Sequence, residues 1–189
     1  KAKKVNLKFF PEGGNLVKGV PSQVAFEATD AYGNPITLFG RIINRRKEEI
    51  GHFATIHEGR GVFTYIPTGE DADKAEVELG GKKYRFDLPE VRSQGYVLHV
   101  DNLTSEDSIA VSVQKNTYTP SNLLGLAVIA HGKLLNSCLL NVGKNTPVSF
   151  KLDKSEWTPG VVQLVLFDTA GQIIADRLVF TRKPELLVV

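Results

Sequence analysis

Four histidines, His52, His57, His99 and His131, and a single cysteine, Cys138, are the side chains of this 189-residue chain that could hold a metal or supply a nucleophile. His52 and His57 are the one close pair, and both fall in a strand predicted over Ile50–His57. Their odd spacing sends the two side chains to opposite faces of a sheet, so they cannot share a metal. No H-E-x-x-H or C-x-x-C spacing is present. Cys138 lies in Leu134-Leu-Asn-Ser-Cys-Leu-Leu140 with no adjacent cation to lower its pKa, and reads as a small apolar filler. One cysteine excludes an intrachain disulfide without excluding an oxidising compartment. The acidic cluster Gly69-Glu-Asp-Ala-Asp73 groups oxygen ligands of the kind calcium takes, but lacks the spacing and closing glutamate of an EF-hand and reads as a surface loop. His57 and Glu58 would need a second carboxylate beside them in a cleft before they could do acid–base work. A nucleophile elbow and Gly-rich phosphate loops are missing, and Gly13-Gly14 and Gly80-Gly81 lie between strands. The expectation is therefore a chain that is not an enzyme, with no catalytic, cofactor-binding or metal-binding residues.

Net charge is +2, with 15 basic and 13 acidic residues in 1–94 and eight of each in 95–189. That balance is unlike the clustered lysine and arginine of nucleic-acid binders. The one basic run, Arg45-Arg46-Lys47, is followed at once by Glu48-Glu49 and reads as a solvated hairpin end. No apolar run approaches the roughly 18 residues of a membrane span, so no direct membrane insertion is expected. Tyr32, Tyr96, Tyr118 and Trp157 are the candidates for stacking on a sugar, which needs two or three aromatics aligned on one surface. Trp157, in Ser155-Glu-Trp-Thr-Pro-Gly160, also suits a cap on an apolar core.

The elements that would position these side chains are strands. Asp30-Ala-Tyr-Gly-Asn-Pro-Ile36 and Asp168-Thr-Ala-Gly-Gln-Ile-Ile174 share a D-x-x-G-x-x-I pattern. An aspartate that accepts hydrogen bonds from its own backbone, followed by a glycine free to take positive φ, reverses a chain between antiparallel strands. Period-two alternation is clear in Gln23–Thr29, Ala75–Leu79 and Lys83–Leu88, each with one apolar and one polar face. Further strands are predicted at Val5–Phe10, Ile36–Asn44, Ile50–His57 and Gly61–Ile66. A second series runs Tyr96–Asp101, Ser108–Gln114, Leu123–His131, Leu134–Val142, Pro147–Leu152, Val161–Asp168 and Ile173–Thr181. The continuous apolar run Val161–Phe167 predicts a central strand covered on both faces. Pro89-Glu-Val-Arg-Ser-Gln-Gly95 has no apolar period and marks a boundary, giving domains 1–89 and 95–189 with residues 90–94 as linker. Short strands with turn signals every 8–12 residues are the pattern of a β-sandwich.

These motifs resemble the macroglobulin-type (MG) domains of the α-macroglobulin and complement family. The resemblance rests on Leu7-Lys-Phe-Phe-Pro-Glu-Gly-Gly14, on Val24–Asp30 with its Asp-Ala-Tyr-Gly-Asn-Pro turn, and on Gly59-Arg-Gly-Val-Phe-Thr-Tyr-Ile-Pro67. In the second half it rests on Gly95-Tyr-Val-Leu98, Pro159–Asp168 and Ala175-Asp-Arg-Leu-Val-Phe180. Tandem units of this kind resemble segments of large bacterial cell-envelope proteins, some of which carry plug domains of TonB-dependent receptors. In that family such units are scaffold. The Cys-Gly-Glu-Gln thioester is not here, because Cys138 is followed by Leu139-Leu140-Asn141. The Asp30 turn is also similar to the strand connection of invasin-type immunoglobulin-like repeats.

The expected architecture is all-β, two tandem antiparallel β-sandwich domains of macroglobulin or immunoglobulin-like type. The expected role is structural and interactive, in a periplasmic, outer-membrane-associated or extracellular bacterial protein, with a carbohydrate-binding or adhesin-type spacer as the alternative. Expected partners are neighbouring domains of the parent chain or other envelope proteins, with no nucleic acid and no cofactor, and the chain itself as a monomer. The start Lys1-Ala-Lys-Lys and the end Lys183–Val189 suggest a piece of a longer precursor.

Overall fold

Each stretch of apolar alternation becomes a strand whose apolar face turns inward in the computed structural model, which describes residues 5–69, 73–144 and 146–182. The chain divides into two units, Lys1–Ser93 and Gln94–Val189. The terminal stretches 1–4 and 183–189 lie outside the described residues.

The first unit contains β1 (Asn6–Pro11), a 3₁₀ turn (Glu12–Gly14), β2 (Leu16–Val17), β3 (Ser22–Thr29), β4 (Phe39–Ile43), β5 (Glu49–Ala54), β6 (Arg60–Tyr65), β7 (Lys74–Leu79), β8 (Lys82–Asp87) and β9 (Val91–Arg92). A three-stranded sheet β1-β3-β6 faces a four-stranded sheet β5-β4-β7-β8, and all their pairs are antiparallel. Phe26, Phe53 and Phe63 meet between the sheets, with Phe26 and Phe53 edge to face at 5.0 Å. Edge-to-face contact suits the ring quadrupole and adds about 1 kcal/mol to the area buried. Gly40 lies opposite Phe53 in the register, and a Cβ there would stand 2.3 Å from the ring.

The second unit repeats the order without β2 and β9. Its strands are β10 (Tyr96–Asp101), β11 (Ser108–Lys115), β12 (Leu123–Ala130), β13 (Lys133–Asn141), β14 (Val148–Asp153), β15 (Gly160–Phe167) and β16 (Ile173–Thr181). Sheet β10-β11-β14 faces sheet β13-β12-β15-β16. Leu98, Ile109, Leu126, Leu164 and Leu166 fill the space between, and Trp157 packs against this core from the turn before β15. Both units are thus antiparallel β-sandwiches with three strands on one side and four on the other.

Three boundaries differ from expectation. Residues 90–94, expected to be a linker, hold β9, which pairs in parallel with β2; the amide of Lys18 donates to Arg92 O at 2.9 Å. Leu16 and Val17 are fully buried, and Val91 packs on the first core, so the first unit extends past Pro89. The strand expected over Ile50–His57 ends at Ala54. There the chain turns through His57-Glu58-Gly59-Arg60, where Glu58 (φ 46°) and Gly59 (φ 73°) are both left-handed and the Arg60 amide donates to His57 O. Positive φ at both central residues is the two-residue hairpin geometry whose twist matches the flanking strands. Finally, the Asp30 turn does not simply reverse the chain within one sheet. Only Thr29 and Pro35 pair across it before the chain crosses to β4 in the opposite sheet. β3 already has β1 on one edge and β6 on the other, so no edge remains for β4.

Asp30 Oδ1 accepts from the amides of Tyr32 and Asn34 at 2.8 and 2.9 Å, and Gly33 has φ 86°. Asp168 Oδ1 accepts from Ala170 and Gln172, both at 2.9 Å, with Gly171 at φ 79°. A third copy lies at Asn44: its Oδ1 accepts from Arg46 and Glu48, and Lys47 occupies the glycine position at φ 63°. A side chain in that region costs about 1–2 kcal/mol.

In the second unit the crossing from β11 to β12 is held by Lys115, which is fully buried at an inward position. Its Nζ donates to Thr119 O (2.7 Å), Ser121 O (3.0 Å) and Asn122 Oδ1 (2.5 Å). Tyr96 Oη also donates to Ser121 O at 2.7 Å. The ammonium closes the end of the sandwich by satisfying acceptors that the crossing loop would otherwise bury unpaired.

Three stability outcomes follow, all measured by urea unfolding. Lys47→Gly raises stability by about 0.5–1 kcal/mol, whereas Gly171→Ala lowers it by about 1 kcal/mol or more. Lys115→Met keeps the length of the side chain but takes the ammonium away from Thr119 O and Asn122 Oδ1, while Ser121 O keeps Tyr96 Oη, and lowers stability by about 2–4 kcal/mol.

Candidate functional site

The residues that could do chemistry are dispersed. His57 and Glu58 are neighbours on the exposed β5–β6 turn, with His57 Nε2 3.8 Å from the Glu58 carboxylate. They form a solvated pair on a hairpin tip, with no second carboxylate paired to either among the described residues. His52 is exposed on β5 and stacks on Phe39 at 6.0 Å. His99 sits on β10 opposite Ser112, and His131 forms the tight turn between β12 and β13 at φ 50°. Among the described residues no three His, Cys, Asp or Glu side chains gather closely enough to hold a metal ion. Cys138 faces inward opposite Leu126, half-buried, and burial pushes its thiol pKa up.

Residues 70–72 of the acidic cluster lie outside the described residues. Its last member, Asp73, is buried and accepts from Tyr65 Oη at 2.6 Å and Thr68 Oγ1 at 3.3 Å. Burial and the neighbouring carboxylate push the Tyr65 hydroxyl well above its ordinary value. Asp73 therefore ties the loop to the sheet end.

Within neither unit do the aromatic candidates make a platform. Tyr96 is buried and Trp157 leans on the second core, so neither offers an open ring face. Tyr32 and Tyr118 are exposed, but on separate units.

What distinguishes the two sandwiches is the outer face of each four-stranded sheet. In the first unit it is a charge ladder. Glu76, central on β7, is buried at an outward position because long side chains lie over it. Arg41 donates to it from Nε (3.0 Å) and from its terminal amine (2.6 Å), Arg85 Nε donates at 2.9 Å, and Lys83 Nζ stands 3.7 Å away. Hydrogen bonds from Arg41 and Arg85 pull the Glu76 carboxyl down to about 2 against the opposing effect of burial. Lys74 and Asp87 pair alongside.

The same face of the second unit is apolar. One row across the sheet is Leu139, Gly125, Phe167 and Ile173, and another is Leu134, Ile129, Gln163 and Leu178. Between them runs a lower row of Ser137, Ala127, Val165 and Asp176, and Val161 pairs with Phe180 at the end. Leu139 is 75% exposed, Ile173 69%, Leu134 62%, Leu178 59%, Phe180 56% and Val161 54%. β15 is central in its sheet, as the run Val161–Phe167 predicts, but only its inner face is covered. The hydrogen-bonding position agrees with the expectation, and among the described residues no second layer lies over the outer face, where Val161 is mostly open. No lysine or arginine stands in these outward rows, and their one carboxylate, Asp176, accepts from Gln163 Nε2 at 3.1 Å. The hydrophobic character is legible in the run Val161–Phe167, whose composition predicts cover on both faces.

No protein-family description and no curated protein sequence matches the chain. Among solved structures it is similar to the BSP domain of a biofilm-associated protein, with 12% identity and a TM-score of 0.40. That match takes in 96% of this chain and 30% of the other. No helix among the described residues is long and apolar enough to cross a membrane.

The Glu76 cluster has a pH signature. The carboxyl has its ordinary value of 4.5 when unfolded and about 2 when folded, so the folded state holds fewer protons between them. The stability it contributes is complete above about 4.5 and is lost as pH falls toward about 2. Glu76→Gln is less stable than the parent near neutral pH, and urea unfolding at a series of pH values shows the gap shrinking through that window.

Proposed function

We propose that this chain is a non-catalytic structural and interaction module, a tandem pair of macroglobulin-like β-sandwiches within a larger secreted or outer-membrane-associated bacterial protein. The observation that carries this reading is the open apolar face of sheet β13-β12-β15-β16. Contiguous apolar surface of this extent on a folded domain marks a protein contact. The rigid sandwich beneath it presents that surface without needing to reorganise on binding, which keeps the cost of association low. Partners are other polypeptide, either further domains of the parent protein or other proteins of the cell envelope. A spacer role in an adhesin would use the same sandwiches. Sugar binding finds less support, since Tyr96 and Trp157 are taken up by the interior.

The reading is tested in the natural full-length protein by placing a photo-cross-linking amino acid at Leu139, with Lys151 on the outer face of β14 as reference. The expected result is cross-linking to polypeptide at position 139 at least about tenfold above position 151. Equal yields at the two positions, or none at 139, overturn it.

A further inference from the structure

We infer that the outer face of sheet β13-β12-β15-β16 is covered by the same face of a second copy of this chain, making a two-fold dimer through sheet-on-sheet packing. This rests on reading that face as a protein-contact surface and names its partner.

Size is the first argument. Four strands of about eight residues cover about 19 by 26 Å, or roughly 500 Å². Two such faces together remove roughly 1,000 Å², where specific interfaces begin. Any contact covering less of the face would leave exposed leucine or phenylalanine beside the interface.

Chemistry is the second. The outward rows carry no cation and a single carboxylate, Asp176, which sits on edge strand β16 where it can stay at the rim. A partner must therefore offer a flat, charge-poor, apolar face. The other four-stranded face of this chain is the Arg41–Glu76–Arg85 ladder, and the three-stranded face of the second unit presents His99, Ser112, Ser149 and Lys151. Neither would satisfy apolar side chains. The outer face of β1-β3-β6 has one apolar row, Phe10–Ala25–Val62, but beside it stands the charged row Lys8–Glu27–Arg60. Of the four outer faces, the one that matches this face in breadth and lack of charge is the face itself, which is the condition for an isologous contact.

Relief is the third. The row Ser137–Ala127–Val165 forms a furrow between the Leu139–Ile173 row and the Leu134–Leu178 row. A two-fold axis lying between the two sheets and parallel to these rows lets a ridge of one copy enter the furrow of the other, at the spacing of about 10 Å and the small angle usual for stacked sheets. The run Val161–Phe167, whose composition is that of a strand covered on both sides, then has both of its layers.

Sedimentation velocity of the chain from roughly 1 to 500 µM tests this. The expected result is a monomer–dimer equilibrium within that range. The pair Leu139→Asp and Leu178→Asp is expected to weaken it by about 50-fold or more, with unchanged circular dichroism and cooperative unfolding. The pair Ser112→Asp and Ser149→Asp, on the other sheet, is expected to leave it unchanged. Should the first pair fail to fold, Leu178→Lys alone is expected to show the same loss in smaller degree. Photo-cross-linking at position 139 in a mixture of heavy and light isotope-labelled chains is expected to give heavy-to-light products. A monomer throughout the range, a dimer indifferent to these changes, or cross-links confined to single chains overturns the pairing. If position 139 of the full-length protein still cross-links to other polypeptide, the contact-surface reading survives and only the self-pairing falls.

Discussion

A β-strand has two hydrogen-bonding edges, and in both units the second long strand uses both of them. β3 lies between β1 and β6, and β11 lies between β10 and β14. With no edge left beside it, the chain that follows must leave the sheet, and it pairs again only in the opposite layer. That exclusion produces a three-on-four sandwich twice from unrelated loop chemistry. In the first unit the crossing begins with the Asp30 loop, which satisfies its own amides. In the second, Lys115 gathers the carbonyls of the crossing loop around a buried ammonium.

Once the inner faces are committed to filling the core, the outer faces are free to differ, and they do. The outward side of β5-β4-β7-β8 holds a carboxylate among guanidinium groups, a surface suited to solvent. The equivalent side of β13-β12-β15-β16 holds leucine, isoleucine, valine and phenylalanine. Because the two sandwiches share their strand order, topology does not account for this difference, and the contrast is the strongest functional signal the molecule carries. Among the described residues the side chains that could hold a metal ion are not gathered in this way. The histidines stand on strands and turns apart from one another, and Cys138 faces a leucine.

Much of the fold was legible because its signal is local. Period-two alternation locates Gln23–Thr29, Ala75–Leu79 and Lys83–Leu88 to within a residue or so of the observed strands. The aspartates and glycines of the two D-x-x-G turns specify their own geometry. The Asn44 loop shows the same hydrogen bonds with lysine in place of glycine, which is why it passed as a merely charged hairpin end. Two-residue strands such as β2 and β9 have no period to read, since a single pair of residues cannot alternate. Glu58, in the left-handed region, ended β5 three residues early for a reason that only backbone geometry displays.

The amino-acid order by itself determined which residues alternate, where the chain must turn, and that no constellation for metal or nucleophile chemistry is encoded at recognisable spacing. Where both faces of a strand are apolar, tertiary structure alone decided which residues are interior. Val161 and Val162 are neighbours of identical type, yet one is fully buried and the other mostly open. Burial is a property of what lies on the far side of a sheet. In a run that is apolar throughout, no local pattern contains that information, because it depends on strands brought together from distant parts of the chain.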